Sequence, residues 1–507
     1  MKTPLIRRQF RNSGRESGVT MVLVAVAMVA IVAMAALSID VITLYLAKQE
    51  AQRSADAAAI AAAKILSVSS LTGDPNNGSL RWGAICGPDD GTNGLATRVA
   101  KAVANQNLVG GATTSTPIVT YSSAGTSSSD CTALSTTAFG VNPMVTVQLN
   151  RPNLPTFFSR IWGNRGNSIS ATATAELFNP SNSANSGNSA NGTPIPVRPR
   201  CVKPWVVPNQ NPLVPAPNAS SQYCNQGAGA CNKIVANADG SILNPGISVG
   251  STANGIIGET FWLVADCRHS PSSTCTVRRA GGPAANYGSA SPFIKPMPNL
   301  LYLPGQVGTT TPVSVPSCTT GDEFEAAIEG CDSPANYSCG VPPASGGNNV
   351  VDLTRNPYQP TSNGVTCLIH QANSSDVNES TGQDSLNPFM ASTVYPVIAP
   401  SAYPFQILAG SGSAMVTAGL PAATPISVSP SIVSLPIFDD AAVTPGSSTT
   451  TPVTFVGFLQ VFINAVDNSG NISVTVLNVA GCGNGTNPVG TAINGNSPLP
   501  VRLITPP

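Results

Sequence analysis

One stretch near the start of the chain constrains its fold more than any other. From Val19 to Thr72 the sequence contains neither glycine nor proline, and Ser17 to Ile39 carries no charged side chain. An α-helix rises about 1.5 Å per residue, so about 20 apolar residues span the ~30 Å hydrocarbon core of a bilayer. The pattern predicts one long helix whose first part, residues 19–39, is a transmembrane span.

The charges on either side of this span predict its orientation. Five basic residues precede it against one acid, Glu16, whereas the charges that follow it show no positive excess. Cytoplasmic flanks of membrane helices are enriched in lysine and arginine. We therefore expect a single-pass protein with residues 1–18 as a cytoplasmic basic arm and the bulk across the membrane. The basic residues are Lys2, Arg7, Arg8, Arg11 and Arg15.

A cleaved signal peptide is the alternative to a retained span. Signal peptides have an apolar region of about 7–15 residues, followed by a cleavage site of small residues. The Ala-Met-Ala sequence at 33–35 is such a site, and a cut there would start the mature chain near Ala36. The helical pattern continues well past Ala36, which favours retention of the span.

Residues 40–66 predict an alanine-rich continuation of the helix. Eight of the thirteen residues from Ala51 to Ala63 are alanine, the strongest helix former. Small and apolar side chains recur every three or four positions and line one face, which allows close approach of another helix. That face packs either on a partner helix or on the chain's own outer domain. Its residues are Leu44, Ala47, Ala51, Ser54, Ala58, Ala61 and Ile65.

Several motifs of this region occur in a fixed order. RESGVTM opens the span, Ile39-Asp40-Val41 ends it, and QRSADAAAIAAA follows in the helix. This order resembles the N-terminal module of the TadE/TadG-like proteins of bacterial tight-adherence (Flp) pilus systems. Later segments resemble the TadG type: VTVQLNRPNLPTFFSRIWG, SISATATAEL and VGFLQVFI. The family-motif residues are Asp40, Ala55, Asp56 and Ala57.

The resemblance implies a function and a location. It implies a membrane-anchored accessory or structural component of pilus assembly, without catalytic activity. The expected location is the inner membrane, with the bulk in the periplasm or outside the cell. The implied partners are other pilus-assembly and envelope proteins.

Gly18 is a possible processing site within this resemblance. Prepilin-type peptidases cut after a glycine at the edge of the apolar span, where Gly18 stands. Type IV pilins usually carry glutamate at the fifth residue after the cut, and this chain has Leu23 there. The departure favours an uncleaved anchor.

The composition and the order of the remaining elements predict an α+β fold. Charged residues make up 9% of the chain and balance to zero, so no electrostatic feature favours binding to nucleic acid. Its 46 glycines and 45 prolines favour turn-rich β structure. We expect a small pilin-like α+β domain at 67–178, a flexible linker at 179–193, and a β-rich region at 194–507 that is long enough for two domains.

The predicted elements follow from local patterns. In the α+β domain we expect a turn-rich stretch at 66–88, helices at 94–109 and 153–162, and strands at 117–121, 144–149 and 168–178. In the β-rich region we expect strands at 258–265 and 313–315, a helix at 320–330, and a hairpin of 452–466 with 471–479.

The twelve cysteines predict a disulfide-stapled region. All lie beyond the span, their number is even, and nine of them fall between Cys201 and Cys367. In an oxidising compartment they form up to six disulfides, whose pairing the spacing leaves open. Cys267, His269 and Cys275 match no standard zinc pattern, so a metal site is disfavoured. The cysteines are Cys86, Cys131, Cys201, Cys224, Cys231, Cys267, Cys275, Cys318, Cys331, Cys339, Cys367 and Cys482.

Motifs that would indicate an enzyme or a cofactor are missing from the sequence. It contains no GxSxG, HExxH or phosphate loop, and neither histidine sits in a general-base motif. The acidic residues of 322–329 read as a solvated helix face, and the DNSGN sequence at 467–471 as a hairpin turn. The alternative to a pilus component is a surface-anchored or secreted adhesin or binding protein; an enzyme of unfamiliar type is disfavoured. The oligomeric state stays open.

Overall fold

The structure is a computed structural model that describes the chain from Glu16 onward, with gaps. Residues 1–15 of the basic arm, the linker at 179–193 and the strand predicted at 313–315 lie outside the described residues. The described residues are 16–69, 71, 78–91, 93–123, 125–135, 139, 143–158, 160, 163, 166–177, 197–199, 201–210, 235–236, 242, 256–265, 299–307, 322–330, 337, 339–340, 349–352, 355–371, 382–387, 405–440, 450–468, 470–482, 493–495 and 499–504.

One helix dominates the described residues. It has 53 residues and a length of roughly 80 Å, which confirms the long helix expected from the absence of glycine and proline. A short 3₁₀ turn lies at Cys131–Ala133. The α-helices are α1 (Glu16–Val68), α2 (Gly78–Cys86), α3 (Leu95–Gln106), α4 (Glu323–Glu329), α5 (Tyr358–Leu368) and α6 (Ala414–Thr417).

The strands follow α3 along the chain, and together with the helices they confirm the α+β class. They are β1 (Ile118–Ser123), β2 (Thr126–Ser128), β3 (Met144–Leu154), β4 (Asn167–Leu177), β5 (Val197–Pro199), β6 (Trp205–Pro208), β7 (Thr260–Ala265), β8 (Asn299–Pro304), β9 (Val350–Asp352), β10 (Ser385–Asn387), β11 (Gln406–Leu408), β12 (Pro425–Ile426), β13 (Ile432–Phe438), β14 (Thr450–Pro452), β15 (Phe455–Val466), β16 (Ile472–Gly481), β17 (Ile493–Gly495) and β18 (Val501–Ile504).

The two largest sheets differ in closure. One is five-stranded, in the order β18-β4-β3-β1-β2, with β18 antiparallel to β4. The other is a closed barrel, in the order β13-β15-β16-β7-β8-β6. Strands β6 and β13 close it as a parallel pair, and β7 and β8 are also parallel. Closure leaves this sheet no free edge. Smaller sheets pair β10-β11-β12, β14 with β9, and β17 with β5.

The chain folds into two compact units. The first comprises Met1–Ala58, Lys101–Ile118 and Val147–Ala173. Within it, one side of α1 is buried along an alanine-rich stripe that includes Ala47, Ala51 and Ala55. Small side chains allow the surrounding backbone to approach the helix closely, as the stripe in the sequence predicts.

The second unit comprises Ala59–Ala100, Val119–Thr146 and Thr174–Pro507. Near its start a disulfide between Cys86 and Cys131 joins α2 to the 3₁₀ turn. The Trp82 and Phe139 rings meet edge to face with centroids 5.4 Å apart, an arrangement that aromatic quadrupoles favour. Most of this unit's core lies in and around the barrel.

The hairpin at the centre of the barrel confirms the prediction for 452–479. Every residue of β15 and β16 is buried, including polar side chains such as Gln460 and Asn478. The two strands pair antiparallel through registers such as Phe462 opposite Thr475. In the turn, Asp467 Oδ1 accepts a hydrogen bond from the Asn471 backbone N–H at 2.9 Å, which confirms the turn reading of DNSGN.

The last turn of α1 also belongs to the barrel core. Val68 packs in the same apolar cluster as residues of β15 and β16. The last carbonyl groups of a helix have no partners within it. Here Asn478 Nδ2 donates to the Ser67 carbonyl oxygen at 2.7 Å and to Gln460 Oε1 at 2.8 Å. Strand β16 thereby stabilises the C-terminal end of the helix.

Three elements differ from the sequence prediction. The helix expected at 153–162 is absent from the first half of that range, which the structure describes. There β3 extends to Leu154, and the chain bends at residues 157 and 158. The bend is stabilised because the Asp40 carboxylate accepts the backbone N–H groups of residues 157 and 158. The stretch at 66–88, expected as turns, contains α2. Helix α5 was not predicted, because its glycine and proline content hides the helical pattern.

The acidic residues of α4 are only partly solvated, since Glu323 is exposed but Glu325 and Glu329 are buried. Asp322 caps the helix by accepting the Phe324 and Glu325 N–H groups at 2.7 and 3.1 Å, and the predicted helix is confirmed. Glu325 and Glu329 are buried because α5 packs closely against α4. A Cβ added at Gly364 of α5 would lie 2.9 Å from the Ile328 side chain, so this contact requires glycine.

Glu329 and Lys203 are both buried at the end of α4, close enough to influence each other electrostatically. Lys203 Nζ donates to the Ile328 and Gly330 carbonyl oxygens at 2.6 and 2.7 Å, at the negative end of the helix dipole. Both Glu329 carboxylate oxygens lack a hydrogen-bond partner among the described residues. Burial, with a smaller effect from Glu325, raises the pKa of Glu329 from 4.5 to about 7, against the opposing effect of Lys203.

This pair predicts a pH dependence of stability. The pKa of Glu329 is about 7 in the folded protein and 4.5 in the unfolded chain. Between about pH 4.5 and pH 7 the folded protein therefore keeps a proton on Glu329 that the unfolded chain has released. The free energy of unfolding therefore falls as the pH rises through this window, by up to about 3 kcal/mol. Burial lowers the pKa of Lys203 to about 7, so Lys203 changes the free energy of unfolding only above about pH 7.

We expect Glu329→Gln to flatten that fall in thermal unfolding of the purified full-length protein at about pH 5 and about pH 7. Glu323→Gln, at an exposed position of the same helix, is the matched control and should keep the wild-type pH dependence. An equal fall in wild type and Glu329→Gln would contradict the assignment.

Candidate functional site

The first half of α1 has the length, composition and exposure of a membrane span. Within Gly18–Val68, an 18-residue window has a mean hydropathy of 2.9, and only 6% of that window is buried. A core helix of a soluble protein would be mostly buried, whereas large apolar side chains such as Val24, Met28 and Val32 are exposed here. The helix is therefore compatible with a single-pass membrane anchor.

Asp40 lies where this apolar run ends, and its carboxylate binds backbone and not solvent. Only 4% of the residue is exposed. Oδ1 accepts the Phe157 N–H at 2.9 Å, and Oδ2 accepts the Phe158 N–H at 3.1 Å. A hydrogen bond to an ionised acceptor contributes about 1.5–3 kcal/mol. Asp40 therefore holds the loop of residues 155–158 against α1.

Farther along α1, two polar side chains donate hydrogen bonds to backbone carbonyl groups of β4. Lys48 Nζ donates to the Ser170 carbonyl oxygen, and Gln52 Nε2 donates to the Thr172 carbonyl oxygen at 3.0 Å. Four helical residues rise about 6 Å, and two strand residues rise about 6.6 Å. The two spacings match, so β4 follows α1 with successive helical turns bound to alternate strand residues.

Glu50 binds a third segment at a point of close approach. Its Oε2 accepts the Gly110 N–H at 2.8 Å. Gly110 has a φ of +56°, and a Cβ there would lie 2.6 Å from Leu154 Cδ2. The positive φ therefore favours glycine at this position, and a larger residue would also have to displace the end of the Leu154 side chain.

A half-open groove of about 230 Å³ lies beside α1 in the same unit. Its walls are mainly apolar, and its polar members include Glu50, whose carboxylate already binds Gly110. It is lined by Thr43, Leu44, Leu46, Ala47, Glu50, Gly110, Leu154, Pro155 and Phe157.

The structure places most of the predicted helix-packing face inside the protein. Within the first unit, the Ser54 hydroxyl donates to the Ala104 carbonyl oxygen at 3.5 Å, so that part of the face packs on the chain's own residues. Leu44 and Ala61 are half-buried. The buried members are Ala47, Ala51, Ser54, Ala58 and Ile65. Whether a partner helix also packs on α1 stays a prediction.

The family-motif residues have different environments. Ala55 is buried, Asp56 is half-buried and accepts from Gln52 Nε2 at 2.9 Å, and Ala57 is exposed. Gly18, the possible processing site, is exposed within α1. Of these residues, Asp40 alone binds the 155–158 loop among the contacts described.

The described cysteines form disulfides, as the sequence predicts. Cys86 pairs with Cys131, and Cys339 pairs with Cys482 at the end of the barrel hairpin. Cys201 and Cys367 are also disulfide-bonded. The remaining cysteines lie outside the described residues: Cys224, Cys231, Cys267, Cys275, Cys318 and Cys331.

Sequence reasoning missed the partners of the polar side chains on α1. Asp40 was singled out by its position in a motif, but its partner amides lie 117 and 118 residues away. Nothing in a single sequence joins positions so far apart. The one local signal is Pro155, which has no N–H and often opens a turn.

Residues 18–64 match the family model described as Flp pilus-assembly TadE/G-like. They form a TadE/TadG-like module. The match begins at the start of the apolar run and ends near the last turn of α1. It therefore contains the polar side chains of α1 described above, namely Asp40, Lys48, Glu50, Gln52, Ser54 and Asp56. The resemblance inferred from the motifs is thus confirmed for this module. No curated protein and no solved structure matches the chain.

The described polar contacts of the TadE/TadG-like module position backbone segments of the same chain. Asp40 and Glu50 accept backbone N–H groups, and Lys48 donates to a backbone carbonyl oxygen. Among the described residues, no three histidine, cysteine, aspartate or glutamate side chains are grouped as metal ligands. The matched family is a pilus-assembly family and not an enzyme family.

The Asp40 contact predicts slow amide exchange in the 155–158 loop. Asp40→Ala should accelerate hydrogen–deuterium exchange of the Phe157 and Phe158 amides by roughly 10-fold to 100-fold, because each loses a charge-assisted hydrogen bond. Mass spectrometry of the corresponding peptide measures this. Asp56→Ala, which removes only the bond to Gln52, is the control. Unchanged exchange in Asp40→Ala would show that the carboxylate does not hold the loop.

Proposed function

We propose that the protein is an inner-membrane-anchored structural or accessory component of Tad (Flp) pilus assembly, of the TadG type. The match of residues 18–64 to the TadE/G-like family carries this proposal. The exposed apolar run of α1 supports retention of the span as an anchor. The hydrogen bonds that polar side chains of α1 make with residues 110, 157, 170 and 172 support a folded region held against the helix beyond the span.

The flanking charges support the orientation. Five basic residues precede the span, and the first exposed charges beyond it are mixed in sign. The positive-inside rule then puts the N-terminus in the cytoplasm and the barrel in the periplasm or outside the cell. Disulfides on the same side as the barrel agree with an oxidising compartment. In this role the outer region contacts other envelope components of the pilus machinery.

Complementation of a deletion strain tests the proposal. The deletion should abolish or strongly reduce pili counted by electron microscopy, and the wild-type chain should restore them. A variant with a signal-peptidase site directly after the span should be secreted with its disulfides intact but should not restore pili, since it lacks the anchor.

Two outcomes would contradict this function. Restoration of pili by the released variant would show that anchoring is not needed. Normal piliation of the deletion strain, together with lost attachment to surfaces, would favour the adhesin alternative.

A further inference from the structure

The apolar surface of α1 does not end at its first charged residue. Asp40 follows the charge-free run, but it is buried, and both carboxylate oxygens accept backbone N–H groups. Among the described residues that follow on the helix, Lys48 and Glu50 are the first exposed charged side chains. The water-facing part of α1 therefore begins about two turns later than the charge pattern indicates.

Four side chains continue the exposed apolar surface beyond Asp40. Val41, Ile42, Tyr45 and Leu46 are between 52% and 64% exposed. Positions i, i+1, i+4 and i+5 lie on one side of a helix, so these residues form a single strip. Large apolar side chains in a continuous exposed strip mark an interaction surface.

The 155–158 loop adds a fifth side chain to this strip. Phe157 is 59% exposed and lines the same groove as Leu46. The two elements therefore form one surface, the apolar collar, which comprises Val41, Ile42, Tyr45, Leu46 and Phe157.

We propose that the apolar collar lies in the interfacial layer of the bilayer, with Phe157 among the lipid chains near the headgroups. This proposal rests on the membrane anchoring of α1 in the proposed function. It adds that the first unit contacts the lipid surface through residues beyond the span.

The dimensions of α1 fit this depth. The 21 residues from Val19 to Ile39 rise about 31 Å, which matches the hydrocarbon core. Beyond Ile39 the headgroup layer adds roughly 5–8 Å, and Val41 and Ile42, which lie about 3–5 Å past Ile39, fall within it. Tyr45 and Leu46 lie about 9–10 Å past Ile39, at the water-facing boundary of this layer, and Lys48, about 13 Å past Ile39, lies in water. Tyrosine at the level of Tyr45 is typical of membrane interfaces.

The Asp40 contact explains how a non-helical loop can lie at this depth. Where water is scarce, backbone N–H and C=O groups must be paired within the protein. Pro155 has no N–H group, and the N–H groups of Phe157 and Phe158 donate to Asp40. Three of the four loop residues therefore present no unpaired N–H group to the lipid.

The composition of the collar favours lipid over a second protein helix. Helices that pack closely in membranes meet through small residues. The collar instead consists of two β-branched residues, one leucine and two aromatic residues. Such large side chains are typical of lipid-facing and interfacial positions.

Depth-dependent quenching of tryptophan fluorescence tests the collar. Full-length Phe157→Trp is reconstituted in vesicles whose lipids carry bromine either near the headgroup end of the acyl chains or near the bilayer centre, and the wild-type emission is subtracted. Val26→Trp, exposed in the middle of the span, is the control for anchoring. Leu503→Trp, exposed on β18, is the control for a site outside the bilayer.

We expect the added emission of Phe157→Trp to be quenched most by bromine near the headgroups and to lie at shorter wavelength than that of Leu503→Trp. Val26→Trp should be quenched most by bromine at the centre. Quenching of Val26→Trp without quenching of Phe157→Trp would overturn the collar and leave the anchor intact. Absence of quenching in Val26→Trp would overturn the anchor itself.

Discussion

The Asp40 carboxylate joins two parts of the first unit at the end of the apolar run. It accepts the amide hydrogens of two successive residues and so fixes the loop that follows β3. From that point Lys48 and Gln52 meet alternate residues of β4, because four residues of helix and two of strand advance by nearly the same distance. Without the carboxylate, the two loop amides would have to find other hydrogen-bond partners.

Helix α1 receives support of a different kind at its other end. There Val68 joins an apolar cluster, and Asn478 of the barrel donates to the Ser67 carbonyl oxygen. An isolated helix of this length would fray at its last turn, where carbonyl groups lack partners. The TadE/G-like match of residues 18–64 ends just before this turn, so the match contains the Asp40 contact but not the contact with the barrel.

Elements defined by local patterns could be predicted from the sequence. The long helix follows from the absence of glycine and proline, and the β15–β16 hairpin follows from two apolar runs around a turn. Contacts between distant residues could not be predicted. Closure of the barrel pairs β6 with β13, which are separated by more than 200 residues, and both segments are short and rich in proline or flanked by it.

The errors arose where tertiary contacts decide the local structure. Aromatic spacing at 157–162 favours a helix, but β3 continues to Leu154 and Asp40 binds the amides that follow. The acidic residues of α4 suggest a solvated face, but α5 and Lys203 enclose Glu329. In both places a charged side chain is bound or enclosed by distant segments, which its own neighbours in sequence do not reveal.

The most direct test of the account is the intact mass and N-terminal sequence of the protein from its native membrane fraction. Retention of α1 as one helix from the apolar span to the barrel predicts a membrane-bound chain that begins at Met1 or directly after Gly18, with its disulfides formed. A soluble chain that begins near Ala36 would contradict it, because the span would then serve only for secretion.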